Sequence, residues 1–163
     1  MRRAINSLNE FLKGNYMAIH AYNEYINRAK QPELKLLLQQ LQQNHQQHAM
    51  EITKRIQDLG GKPVDHPGIK GKSMEIFKML TDHNNEPDHI VKDALAGEKR
   101  GIEISQNIVN GTLDDQSYRL VQQILDKNIK HLDLLNQALH DIQKKRGCLI
   151  SRFYGLLTPP LMC

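Results

Sequence analysis

Residues Leu34–Leu59, with the sequence LKLLLQQLQQNHQQHAMEITKRIQDL, form the stretch from which the fold is most directly predicted. Apolar side chains recur there three and four positions apart, which is the spacing of one buried stripe on an α-helix. The stripe consists of Leu34, Leu37 or Leu38, Leu41, Ile52, Ile56 and Leu59. Midway, it passes through His45 and His48, which lie one helical turn apart. Because buried polar groups need partners, two inward-facing imidazoles require a shared partner, and a metal ion is the obvious one.

The composition favours an all-helical (all-α) protein with a single core. The chain has 163 residues, of which 39% are hydrophobic and only 5% aromatic, and it contains no tryptophan. No segment alternates with the period of two that is typical of strands, and a chain of this length can bury a substantial core. The formal charge of +4, from 22 basic and 18 acidic residues, is spread along amphipathic segments, which is typical of a solvated surface.

Several classes of protein are disfavoured by the same sequence. No apolar run is as long as a membrane span, and the first residues lack the hydrophobic segment of a signal peptide. Cys148 and Cys163 both lie in the tail and form no disulfide framework. The basic clusters Arg2-Arg3 and Lys144–Arg146 would lie at opposite ends of a bundle, so they form no single patch for nucleic acid. We therefore expect a cytoplasmic protein that binds neither a membrane nor a nucleic acid.

Four long helices are predicted from the periodicity and from their end signals. Pro32 suits the first turn of the second helix, and Gly60 with Pro63 ends it. The predicted ranges are about Arg3–Ala29, Pro32–Leu59, Asp88–Val109 and Asp114–Ile142. The inner stripe of the first helix is predicted to be Ile5, Leu8, Leu12, Tyr16, Ile19, Asn23 and Ile26, with His20 at its edge. The third helix carries Glu98 in its stripe, and the fourth carries Asn128 and His131.

The connection between the second and third helices is long enough to cross the bundle. It contains GGKPVDHPGIKGK, a short amphipathic helix that begins near Ser73, and the turn HNNEPD. Connections of this length are uncommon in compact domains unless they have a topological role. After a bundle of residues 1–143, residues 144–163 form a tail that is first basic and then apolar. This tail docks either on its own bundle or on that of a neighbouring subunit.

The heights at which polar residues interrupt the apolar stripes of the four helices indicate which topology the connection produces. At a rise of about 1.5 Å per residue, His20, the pair His45 and His48, and His131 reach similar heights in their helices. Glu98 would lie roughly 9 Å away from that layer if the helices simply alternated up and down. If the second and third helices run parallel, all the interruptions reach one layer. Loop length and heights therefore both predict an up-down-down-up four-helix bundle with a long crossover.

This arrangement resembles the ferritin-like superfamily. Its di-iron members use a Glu on helix one, Glu-x-x-His on helix two, a Glu on helix three and Glu-x-x-His on helix four. The corresponding positions here are His20, His45-Gln46-Gln47-His48, Glu98 and Asn128-Ile129-Lys130-His131. More closely, the region from about Ile5 to Ile142 resembles a bacterial family of rubrerythrin-related bundles of unknown function. The shared features are the LGGKP turn, the short crossover helix and the ALAGEK opening of helix three.

The resemblance implies a metal site with an altered ligand set. The expected metal ligands are His20, His45, His48, Glu98 and His131, with Glu24, Glu51 and Asn128 as possible additions. Three of the four motif carboxylates are replaced, and two ferric ions need bridging carboxylates to offset their charge. A His-rich set with one carboxylate instead suits a single transition-metal ion, with zinc or iron expected. We therefore expect a His-rich site in the middle of the core and no efficient ferroxidase activity.

Two other functions stay open. In a di-iron oxidase or ferroxidase, Glu24 and Glu51 would complete the ligand set. In a metal-free structural or stress-related interaction protein, a buried His–Glu–Asn hydrogen-bond network would hold the helix register, and the apolar tail would mediate assembly. The sequence contains no nucleophile motif, no phosphate-binding glycine loop and no cofactor fingerprint, so it predicts no catalytic residue and no substrate. We expect a homo-oligomer.

Overall fold

The computed structural model describes residues 1–66, 84–109 and 113–154, with side chains for 1–66, 84–107 and 113–147. These residues form four α-helices and no strand, which confirms the all-α bundle. The helices are α1 (Arg2–Arg28), α2 (Pro32–Asp58), α3 (Pro87–Val109) and α4 (Asp115–Tyr154). Within the described ranges, no helix combines the length and apolar character that a bilayer crossing requires.

Contacts between helix ends give the direction of each helix. Asn9, near the start of α1, hydrogen-bonds the backbone of Lys62 and Val64, just beyond the end of α2. Arg28, at the end of α1, contacts Asn84 and Asp93 around the start of α3. Hence α2 and α3 both run antiparallel to α1 and parallel to each other.

The end of α2 also fixes the direction of α4. Arg55, in the last turn of α2, donates hydrogen bonds to Asp114, Gln116 and Ser117 at the start of α4. This helix therefore runs antiparallel to α2, and the up-down-down-up topology is confirmed. The short helix predicted from Ser73 lies outside the described residues.

Specific residues set the ends of the helices. Pro32 occupies the first turn of α2, and Gly60 follows that helix with a φ of 73° that glycine adopts without strain. At the start of α4, the Asp114 carboxylate accepts hydrogen bonds from the backbone N–H groups of Gln116 and Ser117. Because these N–H groups have no partner within the helix, Asp114 acts as an N-cap.

The fourth helix is longer than the sequence predicted. It continues past Ile142 to Tyr154, so the predicted end at Ile142 is wrong and the segment after residue 143 begins as helix. Lys144–Arg146 contains good helix formers, and the first proline after the start of α4 is Pro159. Arg146 also bonds Glu86 and Asp88 at the start of α3, which stabilises the extension. Residues 155–163 lie outside the described residues.

The core consists of two apolar clusters. The Leu38 cluster lies toward the end of α1 and comprises Ala21, Tyr22, Tyr25, Ala29, Leu34, Leu38, Leu41, Ile90, Val91, Ala94, Leu95 and Leu135. The Ile52 cluster lies toward the other end of the bundle and comprises Leu8, Phe11, Leu12, Ala49, Ile52, Ile56, Ile102, Val121, Ile124 and Leu125. Buried polar residues occur between the two sets in the sequence of every helix.

The buried stripe of α1 differs from the predicted one. Asn23 is exposed, whereas Asn15, Tyr22 and Tyr25 are buried. The other predicted members agree better with the structure: Leu8 and Leu12 are buried, and Ile5, Tyr16, Ile19 and Ile26 are half-buried and pack against the two apolar clusters. A helix of 3.6 residues per turn that buries residues 8, 11 and 12 also buries residues 15, 22 and 25, so a polar and two amphipathic side chains face inward.

Candidate metal centre

All four helices contribute side chains to one buried polar layer. They are Asn15 and Tyr22 of α1, His45 and His48 of α2, Glu98 of α3, and Asn128 and His131 of α4; each is at most 6% exposed. We call this set the mid-core layer. The predicted meeting of His45, Glu98 and His131 at one height is confirmed, because both imidazoles hydrogen-bond the same carboxylate.

Glu98 is the centre of this layer. Its Oε1 atom accepts hydrogen bonds from Tyr22 Oη at 2.7 Å, His45 Nε2 at 2.9 Å and His131 Nδ1 at 3.0 Å. Burial alone would raise the pKa of Glu98, but the charge of His45 and the hydrogen bonds from both histidines outweigh burial and hold that pKa well below its usual value. Glu98 is therefore an anion at neutral pH.

Tyr22 stays protonated beside this anion. Its burial, followed by the negative charge of Glu98, raises the pKa of Tyr22 well above its ordinary value. The phenol therefore donates to the carboxylate at all physiological pH values. Its ring also packs edge-on against Tyr25, with centroids 5.7 Å apart.

Two asparagines contact the outer nitrogens of His45 and His131, which are the ring nitrogens that face away from Glu98. Asn15 donates from Nδ2 to the Phe11 carbonyl at 3.1 Å, so its Oδ1 faces His45 Nδ1 at 3.3 Å. Asn44 Nδ2 lies 3.1 Å from His131 Nε2. Such contacts fix the orientation of both rings. The inner nitrogens, His45 Nε2 and His131 Nδ1, are therefore aimed at Glu98.

One ligand atom from each of His45, Glu98 and His131 lies within 4.8 Å of the other two. All three residues are buried, and imidazole nitrogens with a carboxylate oxygen form a donor set that zinc and iron accept. Among the described residues, this group could hold a metal ion.

His48 lies next to the group but is not hydrogen-bonded to it. Its ring centroid is 5.8 Å from that of His45 and 6.3 Å from that of His131, and the side chain is only 1% exposed. Its Nδ1 atom has no hydrogen-bond partner among the described residues. Burial, and then the charge of His45, lower the pKa of His48 to about 3. His48 is therefore a neutral imidazole with an unused nitrogen.

Asn128 occupies the remaining motif position of α4. It is 6% exposed, and its Oδ1 atom has no hydrogen-bond partner in the described part of the chain. An unsatisfied buried carbonyl is costly. His48 and Asn128 are thus incompletely satisfied, in contrast to Glu98 and the three residues that donate to it.

The structure does not bring His20 to this layer. It lies on the exposed surface of α1. Residue 20 is about 200° around the helix from residue 22, whose side chain points inward. The helix therefore directs Tyr22, rather than His20, at Glu98.

The two additional carboxylates also lie away from the three converging ligands. Glu51 is half-buried and accepts a hydrogen bond from Gln47 on the outer surface of α2. Glu24 is half-buried on α1. Glu98 is the only buried acidic side chain among the described residues.

Three residues of the site were missed by the sequence prediction. A stripe phased on Leu8 and Phe11 would have found Asn15 and Tyr22, because both continue the helical period from those residues. Asn44 carried no such signal. It is adjacent to His45 and half-buried, and only the packing of α4 beside α2 brings it to His131.

Comparisons with known proteins give the sequence family of this chain and the solved structures that its fold is similar to. Residues 3–111 match the sequence model of a family described as "Domain of unknown function (DUF2383)", and no curated protein matches the chain. A two-domain protein of Anabaena variabilis, with a DJ-1/ThiJ/PfpI-like and a ferritin-like domain, has a TM-score of 0.67 at 19% identity over 98% of this chain. The match covers 40% of the Anabaena protein, so this chain spans less than half of its length.

Two further solved structures match over most of both chains. The bacterioferritin-related protein of Bacteroides fragilis, a dodecameric thioferritin, has a TM-score of 0.66 at 18% identity and covers 90% of this chain and 89% of its own. A ferritin-like, diiron-carboxylate protein of Bacillus anthracis has a TM-score of 0.64 at 20% identity and covers 85% and 96%. At these identities the likeness establishes the fold, and the ferritin-like four-helix bundle is confirmed.

Proposed function

The chain belongs to the DUF2383 family and has a ferritin-like fold, and from this starting point we propose that it binds one transition-metal ion in the mid-core layer. His45, Glu98 and His131 are the proposed ligands. The observation that carries the proposal is the convergence of three ligand atoms, from three different helices, within 4.8 Å in a buried position. His48 is the proposed fourth ligand, because its unpartnered Nδ1 lies in the same layer.

The donor set fits a borderline cation. A dication would offset the buried charge of Glu98, and neutral imidazoles are the usual ligands of zinc and of iron(II). Asn15 and Asn44 would act through the histidines, by holding their outer nitrogens. Such an ion would supply Lewis acidity if it is zinc, and redox chemistry as well if it is iron.

A single ion fits this site better than a pair of iron ions. Two ferric ions carry six positive charges, and the only buried acidic side chain in the described residues is Glu98. Histidine and asparagine occupy the two motif positions, 45 and 128, where di-iron members carry glutamates. We therefore propose that the protein is not an efficient ferroxidase.

Metal content tests the proposal directly. Protein purified without chelator should contain about one equivalent of zinc or iron by elemental mass spectrometry. Replacement of His45 or His131 by alanine should lower the bound metal at least tenfold. His20→Ala is the matched control, because it removes an exposed histidine from α1 and should leave the metal content unchanged. Less than a tenth of an equivalent in the wild-type protein would refute the proposal.

The ferroxidase question needs a separate measurement. Anaerobic loading with two equivalents of iron(II), followed by oxygen, should give no oxo-bridged absorption if the site holds one ion. Strong absorption that disappears in the double variant Glu24→Gln and Glu51→Gln would instead support the di-iron alternative.

One observation favours a metal-free alternative. The three hydrogen bonds to Glu98 Oε1 already satisfy that atom without a cation, so the layer could serve only to hold the four helices in register. In that case His45→Ala would lower the stability of the protein, and the wild-type protein would contain no metal. The elemental analysis described above separates the two functions.

We also propose that the protein forms a homo-oligomer in the cytoplasm. Leu36 and Met50 are about two-thirds exposed on α2, and their spacing of 14 residues places them on one face of the helix. The related Bacteroides fragilis protein is dodecameric. Sedimentation should give a mass well above 18.8 kDa, and the double variant Leu36→Ser and Met50→Ser should lower it. A monomeric wild-type protein would contradict this proposal.

A further inference from the structure

A groove of about 250 Å³ separates α1 from α3 and extends to the mid-core layer. Its walls carry small residues from both helices, among them Gly14, Ala18 and Ala21 of α1 and Ala94, Gly97 and Gly101 of α3. At its inner end it is lined by Tyr22, His45, Glu98 and Asn128. Two of the proposed metal ligands thus border an apolar space that opens on the surface. For scale, an apolar cavity of about 150 Å³ holds a benzene molecule.

The packing of the bundle does not explain the glycines in this groove. Gly14 and Gly101 lie inside helices, where glycine is less favourable than alanine because it has more backbone freedom to lose. A Cβ atom built on either residue meets no atom within 4 Å. By contrast, a Cβ on Gly61 would lie 2.7 Å from the side chain of Ile5. Both glycines are exposed and line the groove, so a larger side chain at either position would extend over the groove rather than into the packed core.

Two side chains that line the groove carry polar atoms without partners. Asn128 is 6% exposed, and its Oδ1 has no hydrogen-bond partner in the described residues; the same holds for Tyr25 Oη, on a side chain that is 2% exposed. An amide can turn either its N–H or its C=O toward a neighbour, and a phenol can donate or accept. A ligand with oxygen atoms at its inner end would give both groups a partner.

The charge of the site selects the class of ligand. A dication held by neutral histidines and the anionic Glu98 leaves a net charge of about +1 in a buried, mainly apolar place, which is costly unless it is paired. One monoanion would neutralise it. The walls of the groove favour an apolar body behind the anionic group. Three charged side chains also line the groove: Glu10 and Asp93 are each paired with a cation, Lys13 and Arg28, and Arg100 is exposed.

We propose that the α1–α3 groove binds a small carboxylate with an aliphatic or aromatic body, whose carboxylate faces the metal held by His45 and Glu98. This inference rests on the proposed metal site. Three observations support it independently of the ligand set: the apolar walls of the groove, the glycines on those walls at positions where an added Cβ meets no atom, and the unpartnered Asn128 and Tyr25.

The test uses the full-length protein loaded with Co²⁺, whose visible absorption bands respond to a change of ligand. Hexanoate and benzoate should shift these bands, and both should bind at least about tenfold more tightly than acetate, because each buried methylene group strengthens binding. Hexan-1-ol, which has the same body without the charge, should leave the bands unchanged. Equal affinity for acetate and hexanoate would overturn the proposal, and so would an equal response to the alcohol.

Blocking variants provide the second arm. Gly101→Leu, alone and combined with Gly14→Leu, should weaken hexanoate binding at least about tenfold while Co²⁺ affinity stays within about twofold, because the added side chains enter open space. Gly147→Leu is the matched control: Gly147 is exposed on α4, a Cβ there also meets no atom within 4 Å, and the residue lies outside the groove. Unaltered hexanoate binding in the double variant, with native helicity, would overturn the proposal.

The two proposals fail differently in this experiment. If Co²⁺ does not bind, the metal site itself is refuted, and the groove proposal is overturned with it. If Co²⁺ binds and His45→Ala abolishes its binding, but no carboxylate shifts the spectrum, only the groove proposal is overturned.

Discussion

Two sets of residues in the mid-core layer, called here its satisfied side and its unsatisfied side, differ in how their buried polar atoms are hydrogen-bonded. Around Glu98, one carboxylate oxygen accepts three hydrogen bonds, and both histidines that donate to it contact an asparagine. Around His48 and Asn128, two buried polar atoms have no partner in the described residues. Equal burial thus has opposite consequences for stability. The satisfied side stabilises the fold, whereas the unsatisfied side costs stability until a ligand or metal completes it.

The largest effect is expected at the centre of the satisfied side. Glu98→Ala leaves Tyr22, His45 and His131 without their common acceptor, at roughly 1 kcal/mol for each lost hydrogen bond. We expect the free energy of unfolding of the metal-free protein to fall by about 3 kcal/mol or more, measured by urea denaturation. Glu51→Ala, on the outer surface of α2, is the control and should change it by less than about 0.5 kcal/mol. A similar fall in the free energy of unfolding in both variants would show that Glu98 stabilises the protein no more than a surface carboxylate does.

The opposite sign is expected on the unsatisfied side. His48→Leu replaces a buried imidazole whose Nδ1 has no partner with an apolar side chain, so the metal-free protein should become about 1–2 kcal/mol more stable. If His48 is the fourth ligand, the same variant should bind Zn²⁺ at least tenfold more weakly in a competition titration. His45→Leu is the matched comparison, and it should lower both stability and affinity. A loss of stability in metal-free His48→Leu would contradict the contrast between the two sides.

Asn15 offers a finer test of how the satisfied side is held together. Asn15→Ala removes the group that faces His45 Nδ1 and should weaken Zn²⁺ binding about tenfold, because outer contacts of this kind orient a ligand histidine. Nitrogen-15 NMR of the His45 ring should show a changed tautomer population, which a purely structural role would not produce. Asn23→Ala, at an exposed position of α1, should change neither quantity.

The smallest effect is expected at the bundle end, far from the layer. Burial tends to raise the pKa of Asp114, but hydrogen bonds from Ser117 and Arg55 lower it to about 2. Because the folded pKa lies below the unfolded value of about 3.9, this carboxylate stabilises the protein above pH 4, and its contribution is lost as the pH falls toward 2. Asp114→Ala should cost about 1 kcal/mol at pH 7 and distinctly less at pH 2, where about half of the folded molecules carry a protonated Asp114. An equal loss in the free energy of unfolding at both pH values would contradict the role of the Asp114 carboxylate as the N-cap of α4.

Much of the architecture could be predicted from residue spacing. The stripe through His45 and His48 and the positions of Glu98 and His131 follow from helical period alone, because α2, α3 and α4 bury apolar residues on both sides of these polar ones. The crossover followed from loop length and helix rise. The prediction for α1 was incomplete, because this helix carries two overlapping stripes that share Leu8 and Leu12, and only packing against α3 selects the one with Tyr22.

The sequence by itself determined the four helices, their directions and the depth of the histidines, because these depend on local periodicity and on segment length. Only the tertiary structure decided which side chains meet. Tyr22, and not His20, faces Glu98, and Asn44 of the neighbouring helix contacts His131. Glu98 accepts the hydrogen bonds of Tyr22 and of both histidines. Those outcomes depend on how each helix is rotated about its own axis. That rotation is set by the packing of the Leu38 and Ile52 clusters over the whole bundle, and no short stretch of sequence encodes it.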